Sequence, residues 1–273
     1  MEVAIAATTS LWSNAAVSKI ELTVPEIVAT IKKSSIMNIV IEGKDDVIAY
    51  RNIEDRAGSE LGVVALLVSA GGRDKVLQIH DALVNDAAYT RCLFICDRDF
   101  WIFSGIPIEY QLNKILTTEG YSIESDLFRD YDLTNLLTSG ERPQFLVEVE
   151  YFKRWFSYNV ARKLRGESVS ISAHVNEVVD QRLDELELET AFVSPGHSLA
   201  VYQTICSDPV RFLRGKSYLA LCVRKLSASD RRPKHSSLSL FEHAVAARGA
   251  LLRRLEDLVI DALRGDVQTQ SVP

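Results

Sequence analysis

Short apolar runs alternate with amphipathic stretches through the first part of the chain. The runs MNIVIEG (37–43), GVVALLVSAGG (62–72) and TRCLFICDRD (90–99) are nearly continuous in apolar residues, which is typical of strands buried on both faces. Between them, DDVIAYRNIEDRAG (45–58) and RDKVLQIHDALVND (73–86) carry apolar residues at helical spacing. Strands that alternate with helices in this way predict a parallel sheet whose crossover helices cover its faces.

The pattern changes after the third run. The stretch TTEGYSIESDLF (117–128) predicts a fourth strand, whereas QFLVEVEYFKRWFSYNVARKL (144–164) and LFEHAVAARGALLRRLEDLVIDALRG (240–265) predict long amphipathic helices. Because glycine commonly closes a helix, we expect the helix that begins near residue 45 to end at Gly58. The second half of the chain is therefore predicted to be mainly helical.

These elements divide the chain into three parts. We expect an N-terminal extension with a helix at residues 1–36, an α/β domain at 37–128 and a helical C-terminal region at 129–273.

A chain of 273 residues with 47% hydrophobic and 25% charged residues has the composition of a globular protein, which argues against disorder and fibrous repeats. The start lacks the basic region of a signal peptide, and no apolar stretch is long enough to cross a bilayer. We expect a cytoplasmic protein with no membrane partner.

Charge is distributed unevenly along the chain. The net charge is −6, but residues 209–254 carry eleven Lys or Arg against two acids, a balance of +9 that leaves about −15 for the remainder. Such a segment is compatible with contacts to nucleic-acid phosphates, for which Arg231, Arg232 and Lys234 are the candidates. It is equally compatible with a solvated helical face.

Acidic residues follow the ends of the predicted strands. Glu42 follows the first strand, Asp97 and Asp99 follow the third, and Glu124 and Asp126 lie in or just after the fourth. In open parallel sheets, functional groups gather at the carboxyl ends of the strands, so we expect these side chains to converge.

The pair at the end of the third strand points to metal chemistry. In extended geometry, Asp97 and Asp99 point to the same side of the strand and Arg98 points to the other. Crowded carboxylates repel unless a cation neutralises them, and Mg²⁺ prefers a few carboxylates together with water and phosphate oxygens. The alternative is purely structural, because D-x-D is common in turns, Gly43 suits a strand-to-helix turn, and Asp45 can cap the next helix.

The motifs IVIEGKDD, LLVSAGG and LFICDRD, in this order on successive strands, resemble the Toprim domain of type IA and type II topoisomerases, bacterial primases and OLD-family nucleases. The resemblance covers residues 37–128 and implies a Rossmann-like parallel sheet flanked by helices. The later stretches YSIESDLF and FLRGKSYL (212–219) resemble the Toprim-like group that includes the Toprim effector subunit of the PARIS anti-phage system, which works with an ABC-type ATPase.

The resemblance assigns roles to individual residues. By position it implies metal ligation by Glu42, Asp97, Asp99 and Glu124, and a catalytic role for Glu42, Asp97, Asp99 and Lys216. Lys44 and Arg73 are further candidates for contacts to substrate phosphates, and the alternative for all three cations is an ordinary surface position. The chain has no topoisomerase tyrosine context and no primase zinc module, so those two activities are not implied.

Two functions remain open at this point. The first is a nuclease that uses Mg²⁺ or Mn²⁺ to cleave phosphodiester bonds in RNA or DNA, as an effector of anti-phage defence beside an ATPase partner. The second is a catalytically weak Toprim module that binds and regulates such an ATPase. Both are compatible with a homodimer.

Overall fold

The computed structural model of the protein describes residues 22–111, 114–182, 184, 185, 187, 188 and 197–270. The strands are β1 (Met37–Ile41), β2 (Ala65–Ser69), β3 (Cys92–Cys96) and β4 (Ile115–Thr117). The helices of the first half are α1 (Val24–Lys33), α2 (Val47–Leu61), α3 (Arg73–Leu83), α4 (Trp101–Ser104), α5 (Ile108–Gln111) and α6 (Ile123–Asp130), with a 3-10 turn at Ala87–Arg91.

The second half is helical. Its helices are α7 (Arg142–Leu164), α8 (Val175–Asp180), α9 (His197–Ser207), α10 (Pro209–Phe212), α11 (Gly215–Leu226), α12 (Ser237–Ala247) and α13 (Ala250–Gln270), with a 3-10 turn at Leu133–Leu136. Among the helices of the described residues, none is both long and apolar enough to span a membrane. The prediction of an α/β fold followed by a helical region is confirmed.

The four strands form one parallel sheet in the order β2-β1-β3-β4. The central strands β1 and β3 are buried along their whole length, which explains why their sequences are apolar without alternation. Successive side chains point to opposite faces, so Ile39 and Ile95 enter one core while Val40 and Phe94 enter the other. The carboxyl ends of all four strands therefore lie along one edge of the sheet.

The two faces of the sheet are covered differently. Helices α1 and α3 cover one face through a small core that includes Ile31 and Ile79. The other face joins α2, α6 and α7 and continues into the C-terminal helices as a single larger core. The expected domain boundary between residues 128 and 129 lies inside α6, so the sheet and the helical region share their packing.

The predicted fourth strand is wrong in its position. The strand is the short β4, and most of the stretch 117–128 forms the loop to α6 and α6 itself. The helix is initiated by Ser122 in a capping box, and its first turn carries Glu124 and Asp126, where acids interact favourably with the helix dipole.

Two predicted helix ends also differ from the structure. Helix α2 continues through Gly58 and ends at Leu61, and the next residue, Gly62, caps it in the left-handed conformation with φ of 67°. The stretch 240–265 is not one helix but is broken between α12 and α13 at Arg248 and Gly249. There, Asp130 comes so close that a Cβ on Gly249 would lie 2.2 Å from the Asp130 Cβ, and the Asp130 carboxylate accepts a hydrogen bond from the Leu251 N–H at 2.7 Å.

A buried carboxylate fixes α11 against α7. Glu148 on α7 accepts a hydrogen bond from the Arg224 guanidinium at 3.1 Å and forms an ion pair with Lys225, both on α11. Arg224 also pairs with Asp180 at the end of α8 at 2.7 Å. The start of α11 lies at the candidate site. These contacts, made by the last turn of the helix, fix its position.

Two glycines provide a matched test of the close approach between Asp130 and Gly249. Gly249→Ala should lower the free energy of unfolding by about 1 to 3 kcal/mol, because the added methyl group displaces Asp130 and breaks its hydrogen bond with the Leu251 N–H. Gly58→Ala should raise it by up to about 1 kcal/mol, since Gly58 lies inside α2 and a Cβ there meets no atom within 4 Å. Urea unfolding of both variants measures the difference. Equal effects would contradict the close approach at Gly249.

Candidate active site

Glu42 ties together the ends of three strands. It follows β1 directly, and its backbone carbonyl accepts hydrogen bonds from the N–H groups of Gly71 and Gly72 after β2, at 2.8 and 2.9 Å. Its side-chain Oε1 accepts a hydrogen bond from the Asp97 N–H after β3, at 2.8 Å. Gly71 and Gly72 have φ of 90° and 128°, values that favour glycine and permit this turn.

Asp97 and Asp99 leave β3 in different ways. Asp97 Oδ1 accepts a hydrogen bond from the Ile123 N–H at 2.9 Å, which links the strand to the start of α6. Asp99 has φ of 47°, and its N–H donates to the Tyr121 carbonyl at 2.7 Å. The prediction of an extended chain through Asp99 is therefore wrong. The Arg98 side chain turns toward β4, where its Nε donates to Thr117 Oγ1 at 3.2 Å.

The two acids of α6 have different positions. Glu124 is 5% exposed and accepts a hydrogen bond from Ser122 Oγ at 2.6 Å, and it lines the cavity described below. Asp126 instead accepts from the N–H groups of Glu119 and Gly120, at 2.8 and 2.6 Å. Asp126 therefore organises the loop after β4 and does not join the other acids, contrary to the expectation that it converges with them.

A further acid belongs to the site. Asp46 precedes α2 and accepts a hydrogen bond from the Gly43 N–H at 2.7 Å. It lines the same cavity as Glu124, whose charge raises the pKa of Asp46 in addition to the effect of burial. The sequence pattern did not single out this residue because, in the pair Asp45-Asp46, either acid suits a helix start.

The pKa values of these carboxylates are raised, first by burial and then by neighbouring acids. Burial and the neighbouring Asp99 raise the pKa of Glu42 to about 7. Burial, followed by the charges of Glu42 and Glu124, raises the pKa of Asp97 well above its usual range. The pKa of Asp99 is also raised, chiefly by burial and against the opposing effect of Arg73. Such a cluster favours any cation that enters it.

Three basic residues lie around the acids. Arg73, at the start of α3, contacts Asp99 at 3.2 Å, donates to the Arg98 carbonyl at 3.2 Å, and has its guanidinium carbon 4.8 Å from the centre of the Trp101 ring. Arg214 and Lys216 lie at the start of α11 and line the cavity with Asp46 and Glu124. Arg214 was not predicted from the sequence, although it directly precedes the Gly-Lys pair that was singled out.

Gly215 permits this approach of α11. A Cβ at Gly215 would lie 2.3 Å from Ser122 Oγ, 2.8 Å from the Glu124 Cβ and 2.9 Å from the Ser125 N. Any larger residue would push α11 away from α6, and it would carry Arg214 and Lys216 with it. The two helices are therefore in backbone-level contact at the edge of the sheet.

A cavity lined by charged side chains of the acid cluster lies beside this contact. Its volume is about 530 Å³. One end is charged, with Asp45, Asp46, Glu124, Arg214 and Lys216. The remaining lining comes from α11, α12 and the segment that leads into α8, and it consists of Ala173, His174, Val175, Ser217, Leu219, Ala220, Ser237, Leu238 and Phe241.

The other predicted phosphate contacts do not line this cavity. Lys44 is exposed and lines a second cavity, of about 430 Å³, with Gly43, Ser69 and Gly71. Lys234 and Arg232 are exposed, but the Arg232 guanidinium donates to nearby backbone carbonyls.

Arg231 is engaged in a structural contact. Its guanidinium pairs with Glu141 and donates to the Leu136 carbonyl at 2.6 Å, and the same pairing lowers the pKa of Glu141 to about 2. The predicted phosphate contact of Arg231 therefore competes with a bond that the fold already uses. Its role in the structure is to hold the turn that precedes α7.

The donor set suits a hard divalent cation in charge and chemistry, because carboxylate oxygens are the ligands that Mg²⁺ and Mn²⁺ prefer. Within the described ranges, however, no three His, Cys, Asp or Glu side chains are grouped closely enough to hold a metal ion. One oxygen of Glu42 and one of Asp97 already accept backbone hydrogen bonds. The acids therefore match a divalent cation in charge and in donor type. To bind one, the carboxylates would have to move closer together.

Comparison with known proteins adds no assignment. No protein-family model matches the chain, and none of the curated proteins matches it. The resemblance to Toprim domains therefore depends on the quoted motifs alone and stays a prediction.

The crowded acids predict an unusual dependence of stability on pH in the absence of metal. Because the pKa of Glu42 is about 7 in the folded protein and near 4 when unfolded, the folded state binds more protons between these values. Stability should then fall as pH rises from about 4 to 7. Glu42→Gln and Asp97→Asn keep the hydrogen-bond acceptors, remove this repulsion, and should be more stable than the parent at pH 8 by about 1 to 3 kcal/mol.

Urea unfolding in EDTA at several pH values measures this difference. The control is Asp55→Asn, which replaces an exposed acid of α2. If the parent, Glu42→Gln and Asp97→Asn all lose stability equally with rising pH, the acids are not crowded.

Proposed function

We propose that the protein is a metal-dependent nuclease that hydrolyses phosphodiester bonds in RNA or DNA. The observation that supports this most is the convergence of Glu42, Asp97, Asp99 and Glu124 from two strand ends and a helix start on one edge of the sheet. Burial and neighbouring negative charges raise the pKa values of these acids at a cost to the stability of the fold, which favours a functional role in addition to their structural hydrogen bonds.

In this proposal, Asp97, Asp99, Glu42 and Glu124 hold Mg²⁺ or Mn²⁺. Such an ion, when bound, polarises the scissile phosphate and makes a water molecule more acidic. Without metal the pKa of Glu42 is about 7. A bound cation would lower it, so that the ionised carboxylate could hold the ion or accept the proton of that water.

The basic residues would position the substrate. Lys216 is exposed on the first turn of α11 and Arg214 directly precedes that helix, so both can reach a phosphate at the charged end of the cavity. Arg73 now neutralises Asp99, and in the presence of a cation its guanidinium would become available to a substrate phosphate.

We also propose that the chain acts in the cytoplasm in anti-phage defence with an ABC-type ATPase, as the resemblance implies. Two neighbouring exposed side chains on α7, Leu146 and Val147, could be covered by such a protein partner or by a second copy of the chain. If the chain instead regulates the ATPase without cleaving nucleic acid, this surface would be retained and the carboxylates would not be needed.

Substitution of the acids separates these functions. Asp97→Asn, Asp99→Asn and Glu42→Gln should each reduce cleavage of single-stranded DNA, plasmid or total tRNA in Mg²⁺ or Mn²⁺ by at least about a hundredfold. Each replacement removes a charge but little volume, so the fold should persist. Lys216→Ala should cost about tenfold or more, and Asp55→Asn should cleave like the parent.

Calorimetric titration with Mn²⁺ identifies the ligands among these residues. Metal binding should weaken in Asp97→Asn and Asp99→Asn, and Glu42→Gln shows whether Glu42 is a ligand or only moves a proton. The nuclease proposal fails if the parent cleaves and the three acid variants cleave equally well. A parent that binds no Mn²⁺ and cleaves none of these substrates would favour the regulatory module.

The exposed cations before α12 give a separate prediction. Arg232→Gln with Lys234→Gln should weaken binding of nucleic acid and reduce the slope of log affinity against log salt by about 0.7 to 0.9 for each phosphate that the protein no longer neutralises. Arg231→Gln should instead lower the free energy of unfolding, because Glu141 is left without its ion-pair partner. Fluorescence anisotropy at several salt concentrations measures the slope. An unchanged slope in the double variant would assign this segment to a solvated face.

A further inference from the structure

The cavity at the start of α11 has a part that phosphodiester hydrolysis does not explain. Its charged end, with Glu124, Arg214 and Lys216, suits a phosphate and the acids that act on it. Its other lining residues are mostly apolar and include Leu219 on α11 and Leu238 on α12, with His174, Ser217 and Ser237 among them. A phosphate alone has no use for an apolar wall, so the cavity is built for a ligand with two different parts.

The apolar wall is open to solvent at one point. Leu238 is 55% exposed although it lines the cavity, and Phe241, one helical turn later, is almost fully buried behind it. Ala220 on α11 also lines the cavity, and its single methyl group takes up little of that space. An exposed leucine beside a buried aromatic residue provides a surface that a flat apolar group can cover.

The basic residues at the charged end are available to a ligand. Among the described residues, neither Arg214 nor Lys216 forms an ion pair, although both lower the pKa of Asp99 by their proximity. An anionic group that enters this end of the cavity would therefore meet two cations without displacing a carboxylate from either.

We infer that this cavity receives one unpaired nucleotide, with its base against Leu238 and Phe241 and its phosphate near Arg214 and Lys216. This inference rests on the proposed nuclease function and names its substrate class as single-stranded or locally unpaired nucleic acid. A nucleotide has the required anionic part and flat apolar part, and a cavity of about 530 Å³ falls within the size range of ligand sites. Bases in a duplex are stacked and paired, so they cannot enter such a cavity unless they leave the helix.

Binding without metal tests the inference separately from cleavage. The probes are a short fluorescent single strand, an abasic strand of the same length and charge, and a blunt duplex, each as DNA and as RNA, measured by anisotropy in EDTA. The parent should bind the base-containing strand roughly tenfold more tightly than the abasic strand and the duplex, because only an unpaired base can pack against the apolar lining of the cavity.

Two variants should remove this preference. Ala220→Phe fills the cavity, and Leu238→Ser removes the exposed part of the wall with little effect on the fold. Both should bind the base-containing and abasic strands with similar affinity while keeping the parent's affinity for the abasic strand. The control is Leu258→Ser on α13, where the leucine is 44% exposed and does not line the cavity, and it should keep the full preference.

Several results would overturn the inference. The parent could bind all three probes equally, or the variants could weaken binding to the two single strands alike. The control could also lose the preference for the base-containing strand over the abasic strand. Asp97→Asn distinguishes the two proposals, since it should lose cleavage and keep the preference for bases. A protein that prefers bases but never cleaves would overturn the nuclease and leave the nucleotide cavity standing.

Discussion

The repulsion among acidic side chains at one edge of the sheet is the constraint on which the site depends. Glu42 and Asp97 cannot both be charged without cost, because they are close to one another and to Asp99, and because burial raises the pKa of each. The fold tolerates them by directing backbone N–H groups at their oxygens, from Asp97 to Glu42 and from Ile123 to Asp97. These hydrogen bonds fix the carboxylates in place but do not return the pKa values of Glu42 and Asp97 to their usual range.

The second half of the chain completes this edge. The start of α11 meets the first turn of α6 at Gly215, where no side chain could fit. The ion pairs of Glu148 with Arg224 and Lys225 hold the other end of α11. As a result, Arg214 and Lys216 line the same cavity as Glu124, and the larger core continues from the sheet into the helices. The C-terminal region therefore contributes to the lining of the candidate site and shares a core with the sheet.

The features that depend on local pattern were predictable from the sequence. Burial of β1 and β3 on both faces leaves an uninterrupted apolar run, and this run indicates the parallel sheet and the position of Glu42 and Asp97 at its edge. Helix α6 was mistaken for a strand because eight residues are too few to distinguish the two periods, although Ser122 and the acids after it mark a helix start.

Contacts between distant residues could not be predicted. The break at Gly249 depends on Asp130, and the role of Arg231 depends on Glu141, both far away along the chain. The same is true of the cavity, whose charged and apolar ends come from segments that only the fold brings together.

The most direct test of the metal site is anomalous diffraction from crystals grown with Mn²⁺. We expect a strong anomalous peak about 2.0 to 2.3 Å from carboxylate oxygens of Asp97 and Asp99, with Glu42 or Glu124 turned toward it. An absence of any peak at these carboxylates at millimolar Mn²⁺, with Arg73 still paired to Asp99, would contradict the claim that the acids are there to hold a metal ion.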